Sequence, residues 1–151
     1  MKVPRVFLDA SVLFAAAASA TGASRAIIVL AEIGFLKGVV SAQVLEEVER
    51  NLSRKAPAAL PFYHQLIASL DLEVVNDPSP EKVAECVQVI EAKDAPILAA
   101  AMEAKPNRLV SLDTEHFSLP EVASFSKLII QTPGAFIEEL RRFLAAGYGE
   151  V

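Results

Sequence analysis

The sequence predicts an α/β protein with a mainly parallel central sheet between two layers of helices, a three-layer α/β/α sandwich. Two observations carry that expectation. Short apolar runs of strand length alternate with longer stretches of helical spacing along the whole chain, the pattern that strand-helix-strand units require. Two of the runs, Val6-Phe7-Leu8 and Leu109-Val110-Ser111-Leu112, stop at an aspartate, Asp9 and Asp113, and a buried parallel sheet places such strand ends on one edge.

The elements follow in order. Arg5 to Leu8 is a strand, and the alanine-rich Ser11 to Ala20 is a helix stopped by Thr21-Gly22. Ser24 to Ile33 is a second helix with Ile27, Ile28, Leu30 and Ala31 on its apolar face, closed by Gly34. Lys37 to Ser41 is the second strand. Gln43 to Leu52 has Val44, Leu45, Val48 and Leu52 on one side and charges elsewhere, an amphipathic helix broken at Arg54-Lys55-Ala56-Pro57. A helix from Ala58 to Leu70, a strand from Leu72 to Val75 and the turn Asn76-Asp77-Pro78 come next. Helices are expected over 80–92 and 95–104, then a strand from Leu109 to Leu112 and a last strand from Lys127 to Ile130. Thr132-Pro133 supplies an N-cap and a proline at the first helical position for a terminal helix to Ala145, closed by Gly147. No repeat or linker divides the chain, so residues 1–151 read as one domain.

A chain of 151 residues buries roughly 70% of its unfolded surface and needs no staple. Cys86 is the single cysteine, which excludes an internal disulfide framework or cysteine zinc cluster and fits a reducing compartment. Fourteen basic and nineteen acidic residues give a net charge of −5, against a protein that coats nucleic acid through a basic surface. Lys2 and Arg5 before an alanine-rich run imitate a secretory signal, but Asp9 interrupts it. A carboxylate within an inserting segment costs about 2.5–3.5 kcal/mol, so the stretch reads as core strand and helix, and no membrane span is expected.

Carboxylates that converge at strand ends repel one another unless a divalent cation neutralises them, which points to a Mg2+ or Mn2+ site. Asp9 and Asp113 hold that edge; the plain alternative for each is a helix cap or turn. Lys93-Asp94-Ala95-Pro96 is a good helix start, and spacing alone makes Asp94 a cap. Glu47 sits among Glu46 and Glu49, where solvated helix charge is the default; Asn51 lies one turn beyond it on the same side. Ser11 is placed to orient a water or phosphate, or to cap a helix. His116 is placed for nucleic-acid contact or for bracing a ligand, or as a packing residue beside Phe117. Arg50, Arg54 and Lys55 form a basic group suited to a phosphate backbone or simply to water.

Four strings together resemble the PIN-domain family of metal-dependent nucleases, including the VapC-like toxins, over nearly the whole chain. Val6-Phe7-Leu8-Asp9-Ala10-Ser11 is similar to the family's opening strand, and Ser41-Ala42-Gln43-Val44-Leu45-Glu46-Glu47-Val48 to its second motif, which selects Glu47 over Glu46. Lys93-Asp94-Ala95-Pro96-Ile97 resembles the third motif, which lifts Asp94 from cap to site residue, and Ser111-Leu112-Asp113-Thr114-Glu115-His116-Phe117 resembles the fourth. Many relatives carry a further acid where His116 stands, so the resemblance supports one metal ion more firmly than two.

The resemblance implies cleavage of RNA, with Asp9, Glu47, Asp94 and Asp113 as metal and catalytic ligands, and Ser11, Asn51, Ser111 and His116 bracing them or touching substrate. It further implies Mg2+ or Mn2+ as cofactor, a homodimer, a small antitoxin partner and a cytoplasmic location. The rival reading is a non-catalytic PIN-fold module for RNA binding or protein interaction, against which the four acids count. A haloacid-dehalogenase-type phosphatase wants a second aspartate where Ser11 stands, and a phospho-accepting receiver domain wants an acidic pair near the first strand, which is missing.

Overall fold

β1 (Arg5–Leu8) runs through the centre of a five-stranded sheet whose order is β3-β2-β1-β4-β5, formed with β2 (Lys37–Ser41), β3 (Glu73–Val75), β4 (Arg108–Val110) and β5 (Ile130–Gln131). Every pairing is parallel, with Phe7 opposite Val39 on one side and Leu109 on the other. The computed structural model describes residues 3–149; Lys2 of the signal-like stretch and the outermost residues of the expected 1–151 domain lie outside them.

Among the described residues, eight α-helices connect and flank the strands: α1 (Ala10–Ala18), α2 (Ala23–Glu32), α3 (Ala42–Lys55), α4 (Leu60–Ser69), α5 (Pro80–Cys86), α6 (Ala95–Ala104), α7 (Pro120–Ser126) and α8 (Pro133–Gly149). The chain steps outward from β1 to β2 to β3, then crosses back to β4 on the other side of β1. Right-handed crossovers therefore put α1 to α4 on one face and α5 and α6 on the other. The packing agrees: α1 touches α2, α3 and α4, whereas α5 packs on α6 and α6 packs on β2; α8 returns to α2. The expected α/β sandwich is the fold observed.

Core and strand residues coincide. Val6, Phe7, Leu8, Val39, Val40, Leu109 and Val110 have no exposed surface, nor have Leu13, Ile27, Val44 and Leu98 on the helices that cover them. The alanines of α1 and α6 let these helices lie close to the sheet; Ala99 and Ala101 are wholly buried. No single helix among the described residues is long and apolar enough to cross a membrane. α1 and α2 qualify together only by length and composition and are bent by 94° at their junction.

Several boundaries differ from the sequence expectation. α5 ends at Cys86, not near 92: the N–H groups of Gln88 and Val89 reach carbonyls three residues back, at Glu85 and Cys86, tightening the chain into a turn, and Val87, Val89 and Ile90 are β-branched and disfavour helix. The expected helix 58–70 is a 3-10 turn over Pro57–Ala59 followed by α4, with Pro61 in its first turn. α3 continues to Lys55, past its expected end at Leu52. β4 ends at Val110, and α7 was not anticipated. α7 displaces the last strand, so that Lys127 is its left-handed C-cap and β5 begins only at Ile130. α8 passes Ala145 and Gly147 and runs to Gly149.

At the amino ends of the strands, Arg5 spans the sheet. Its Nε and Nη2 donate to Glu73 Oε1 and Oε2 at 2.9 and 2.6 Å, and Nη1 donates to the carbonyls of Ala104 and Lys105 at 2.7 and 3.2 Å. One guanidinium thus joins β1, β3 and the carboxyl end of α6, where a cation also suits the helix dipole. Between β1 and β3 lies Gly38 of β2, where a Cβ would stand 2.7 Å from Leu72 Cδ2.

The Arg5 hydrogen bonds hold Glu73 below its ordinary 4.5. A depressed folded-state pKa contributes stability that is present above the unfolded value and lost as pH falls through the folded one. Glu73→Gln is expected to cost about 0.5–1 kcal/mol at neutral pH, the pair being one-third exposed. Urea unfolding should show that deficit closing as the solution is acidified below the glutamate range.

Candidate metal centre

β1 and β4 are adjacent, and the chain leaves them toward opposite faces of the sheet, so their carboxyl ends bound the crevice where parallel sheets hold ligands. Asp9 follows β1 directly, its N–H bonded to the Val110 carbonyl at 3.1 Å. A cleft of about 360 Å³ opens there, lined by Asp9, Glu47, Asp94 and Asp113 together with Ser11, Phe14, Asn51, Lys55 and Lys93. The four acids selected from the sequence come from four separate segments and share this one cavity.

Asp9 is 8% exposed and occupies the N-cap position of α1, yet its side chain makes no capping bond. Instead Oδ2 accepts from Ser11 Oγ at 2.9 Å and from Ser111 Oγ at 2.7 Å. The two serines are fixed in turn: Leu112 N–H donates to Ser11 Oγ and Asp113 N–H to Ser111 Oγ, both at 3.0 Å. This mesh explains why β4 ends early. Leu112 gives its N–H to a side chain of α1, the chain peels away, and Asp113 sits three residues past the strand rather than at its tip.

Asp113 serves its local turn and the cleft at once. Oδ1 accepts the N–H groups of Glu115 and His116 at 2.9 and 3.0 Å, and His116 Nδ1 lies 2.9 Å from Oδ2. Burial alone would raise its pKa, but these hydrogen bonds and the imidazole outweigh burial and hold it below the usual aspartate value. An ionised carboxylate only accepts, so His116 Nδ1 carries the proton. The bond to Asp113 raises the His116 pKa.

Asp94 and Glu47 are treated differently. Asp94 holds the N-cap position of α6 but makes no capping bond, and its Oδ2 is buried without a hydrogen-bond donor. His116 Nδ1, 3.3 Å away, is already committed to Asp113. Burial first, then Asp113 and Asp9, push the Asp94 pKa up against the opposing pull of Lys93 and His116. Glu47 is half-buried while Glu46 and Glu49 are exposed, and burial followed by the charges of Asp9 and Asp94 raises its pKa as well. Two carboxylates thus face their neighbours' negative charge with no donor to offset it, and one of them has an orphaned oxygen. That arrangement fits a divalent cation, which takes carboxylate oxygens and tolerates several around it.

Sequence reasoning missed Glu91. Its Oε1 lies 3.1 Å from His116 Nε2, and Glu91, Asp94 and His116 each offer a donor atom within 4.8 Å of the others. No other such group occurs among the described residues, so the four cleft acids stand further apart and would reach a cation partly through water. Of the suggested accessory residues, Ser11 and Asn51 line the cleft, Ser111 is buried beneath Asp9, and His116 stands behind Asp113 and Asp94. Of the basic group, only Lys55 lines the cleft.

The profile of the PIN domain family matches residues 5–115. A comparison with curated proteins finds no match. Among solved structures the chain is similar to PAE2754 from Pyrobaculum aerophilum, with 20% identity over 95% of this chain and 90% of that one and a TM-score of 0.62. It is similar also to a chain of VapBC2 from Rickettsia felis bound to a DNA fragment from their promoter, with 16% identity, 85% and 98% covered, and a TM-score of 0.64. At these identities the likeness to both structures is one of fold.

Two measurements test the electrostatic account. Ser111→Ala leaves a buried carboxylate oxygen short of a donor and should cost about 1–3 kcal/mol in urea unfolding. Asp94→Asn should be no less stable than the parent in chelator, since it removes a charge that the site disfavours. Added Mn2+ should then raise the melting temperature of the parent and leave that of Asp94→Asn nearly unchanged.

Proposed function

This chain belongs to the PIN-domain family, and on that premise we propose that it is a metal-dependent ribonuclease cleaving RNA phosphodiesters, the toxin component of a toxin-antitoxin pair. The observation that carries the reading is the shared cleft of Asp9, Glu47, Asp94 and Asp113 with an orphaned Asp94 oxygen in its wall. A scaffold or interaction module has no use for acids held at that electrostatic cost.

Asp9, Glu47, Asp94 and Asp113 would hold Mg2+ or Mn2+, directly or through water. When bound, such a cation lowers the pKa of an attacking water and shields the scissile phosphate. The chain's own residues do the positioning. Ser11 and Ser111 fix Asp9 Oδ2, so that the direction of its carboxylate is set before substrate arrives. His116 and two backbone N–H groups do the same for Asp113 and keep it ionised. Asn51, one turn beyond Glu47 on α3, offers an amide to a phosphate oxygen or a water. Hydrolysis on this plan leaves a 5′-phosphate.

The toxin role draws on the family and on the fold shared with a chain of the VapBC2 pair. We extend the same expectation to a small antitoxin that covers the acidic cleft, to a homodimer and to the cytoplasm.

Purified protein is expected to cut single-stranded or structured RNA in Mn2+ or Mg2+ and to be silent in chelator. Asp9→Asn and Asp94→Asn, checked for folding by circular dichroism, should each lose about 3 kcal/mol of transition-state stabilisation, roughly a hundredfold in rate. Cleavage that survives chelation, or both substitutions, would remove the hydrolase reading.

A further inference from the structure

A net charge of −5 and a cleft walled by four acids confront any polyanion with repulsion before a phosphate can reach the centre. The cations in the cleft are therefore informative. Lys55 and Lys93 line it from different elements, Lys55 in the last turn of α3 and Lys93 immediately before the N-cap of α6. Two lysines elsewhere are held by carboxylates, Lys37 by Asp71 at 2.8 Å and Lys82 by Glu85 at 3.1 Å. Among the described residues the side chains of Lys55 and Lys93 make no ion pair or hydrogen bond, although Lys93 is next in sequence to Asp94 and its charge is felt by both Asp94 and Glu47.

The α3 residues of the cleft are Glu47, Asn51 and Lys55, at intervals of four, which places them in one ridge along the helix. At 1.5 Å of rise per residue that ridge is about 12 Å long, running from the acidic centre outward to an ammonium. Its deep end suits the cation and its outer end an anion. Lys93 supplies a second positive group on the α6 side.

Resting on the ribonuclease reading above, we propose that Lys55 and Lys93 are substrate-positioning residues that grip phosphates flanking the scissile one, and that a single strand lies along the Glu47-Asn51-Lys55 ridge of α3. The ligand class is the sugar-phosphate backbone, so the contacts carry affinity and register but no base preference. Their unpaired state keeps both ammonium groups available. Pairing each with a cleft acid would neutralise the centre and leave nothing for the strand.

The test compares the parent with Lys55→Ala, Lys93→Ala, the double alanine variant and the double arginine variant. A labelled single-stranded oligoribonucleotide is titrated by fluorescence anisotropy over about 50 to 200 mM salt, with Ca2+ in place of Mn2+ to suppress turnover. Each lysine that neutralises one phosphate contributes about 0.7 to the log-log salt slope, so the double alanine variant should bind with a slope shallower by about 1.4. Its KM in Mn2+ should rise several-fold with kcat within about twofold of the parent, and the arginine variant should restore both slope and KM. Mn2+ affinity by calorimetry should not fall. A double alanine variant with parental slope and KM overturns the proposal while leaving the hydrolase reading standing. A parent that binds RNA with a lysine-dependent slope yet never cuts it would do the reverse. A parent that binds no RNA overturns the lysine track outright.

Discussion

Negative charge held where water reaches it poorly is the constraint around which this molecule is arranged. The strand order sends the chain away from β1 and β4 toward opposite faces, and the gap that results receives acidic side chains from four segments. Repulsion among them must be met by hydrogen bonds, by neighbouring cations or by a bound ion. The fold meets part of it. Asp9 has two serine hydroxyls and Asp113 has two backbone amides and an imidazole, while Asp94 and Glu47 have no donor that offsets their burial.

That division gives each acid a separate character. The carboxylates that follow strands are locked in direction: Asp9, after β1, by Ser11 and Ser111, which each receive an N–H from the chain just past β4, and Asp113, past β4, by two backbone N–H groups and His116. The pair on the helices, Glu47 on α3 and Asp94 at the head of α6, is left dependent on what enters the cleft. A site built this way is preorganised on one wall and responsive on the other. On the ribonuclease reading proposed above, this asymmetry would have a purpose, because a hydrolytic centre needs fixed direction for some ligands and free valence in others.

The sheet was legible in the sequence wherever burial on both faces forced an apolar run, as at Val6 to Leu8 and Lys37 to Ser41, and those strands fall where the pattern puts them. The end of β4 was not, because the group that takes the Leu112 N–H is a serine 101 residues earlier. α7 carried its own signals, Pro120 in the first turn and Glu121 beside it, but seven residues are too few for periodicity to speak. Its omission shifted the expected position of β5. At the site, Asp9 and Asp113 could be read from strand ends. Asp94 and Glu47 could not, since a helix start and a row of glutamates explain them as well; family resemblance singled them out. Glu91 and Lys93 emerge only when the 87–94 turn is seen in three dimensions, whereas Lys55 belongs to a basic group visible in the sequence from which the fold selects it for the cleft.

α6 carries a mechanical consequence. Its leading residue is preceded by the orphaned acid, and its trailing carbonyl is clasped by the Arg5 guanidinium at the far rim of the sheet. The helix between is a short strut of buried alanines lying on β2. Whatever loosens the clasp at its foot should therefore blur the aim of the carboxylate at its head, so that an arginine remote from the chemistry governs how sharply the centre is focused.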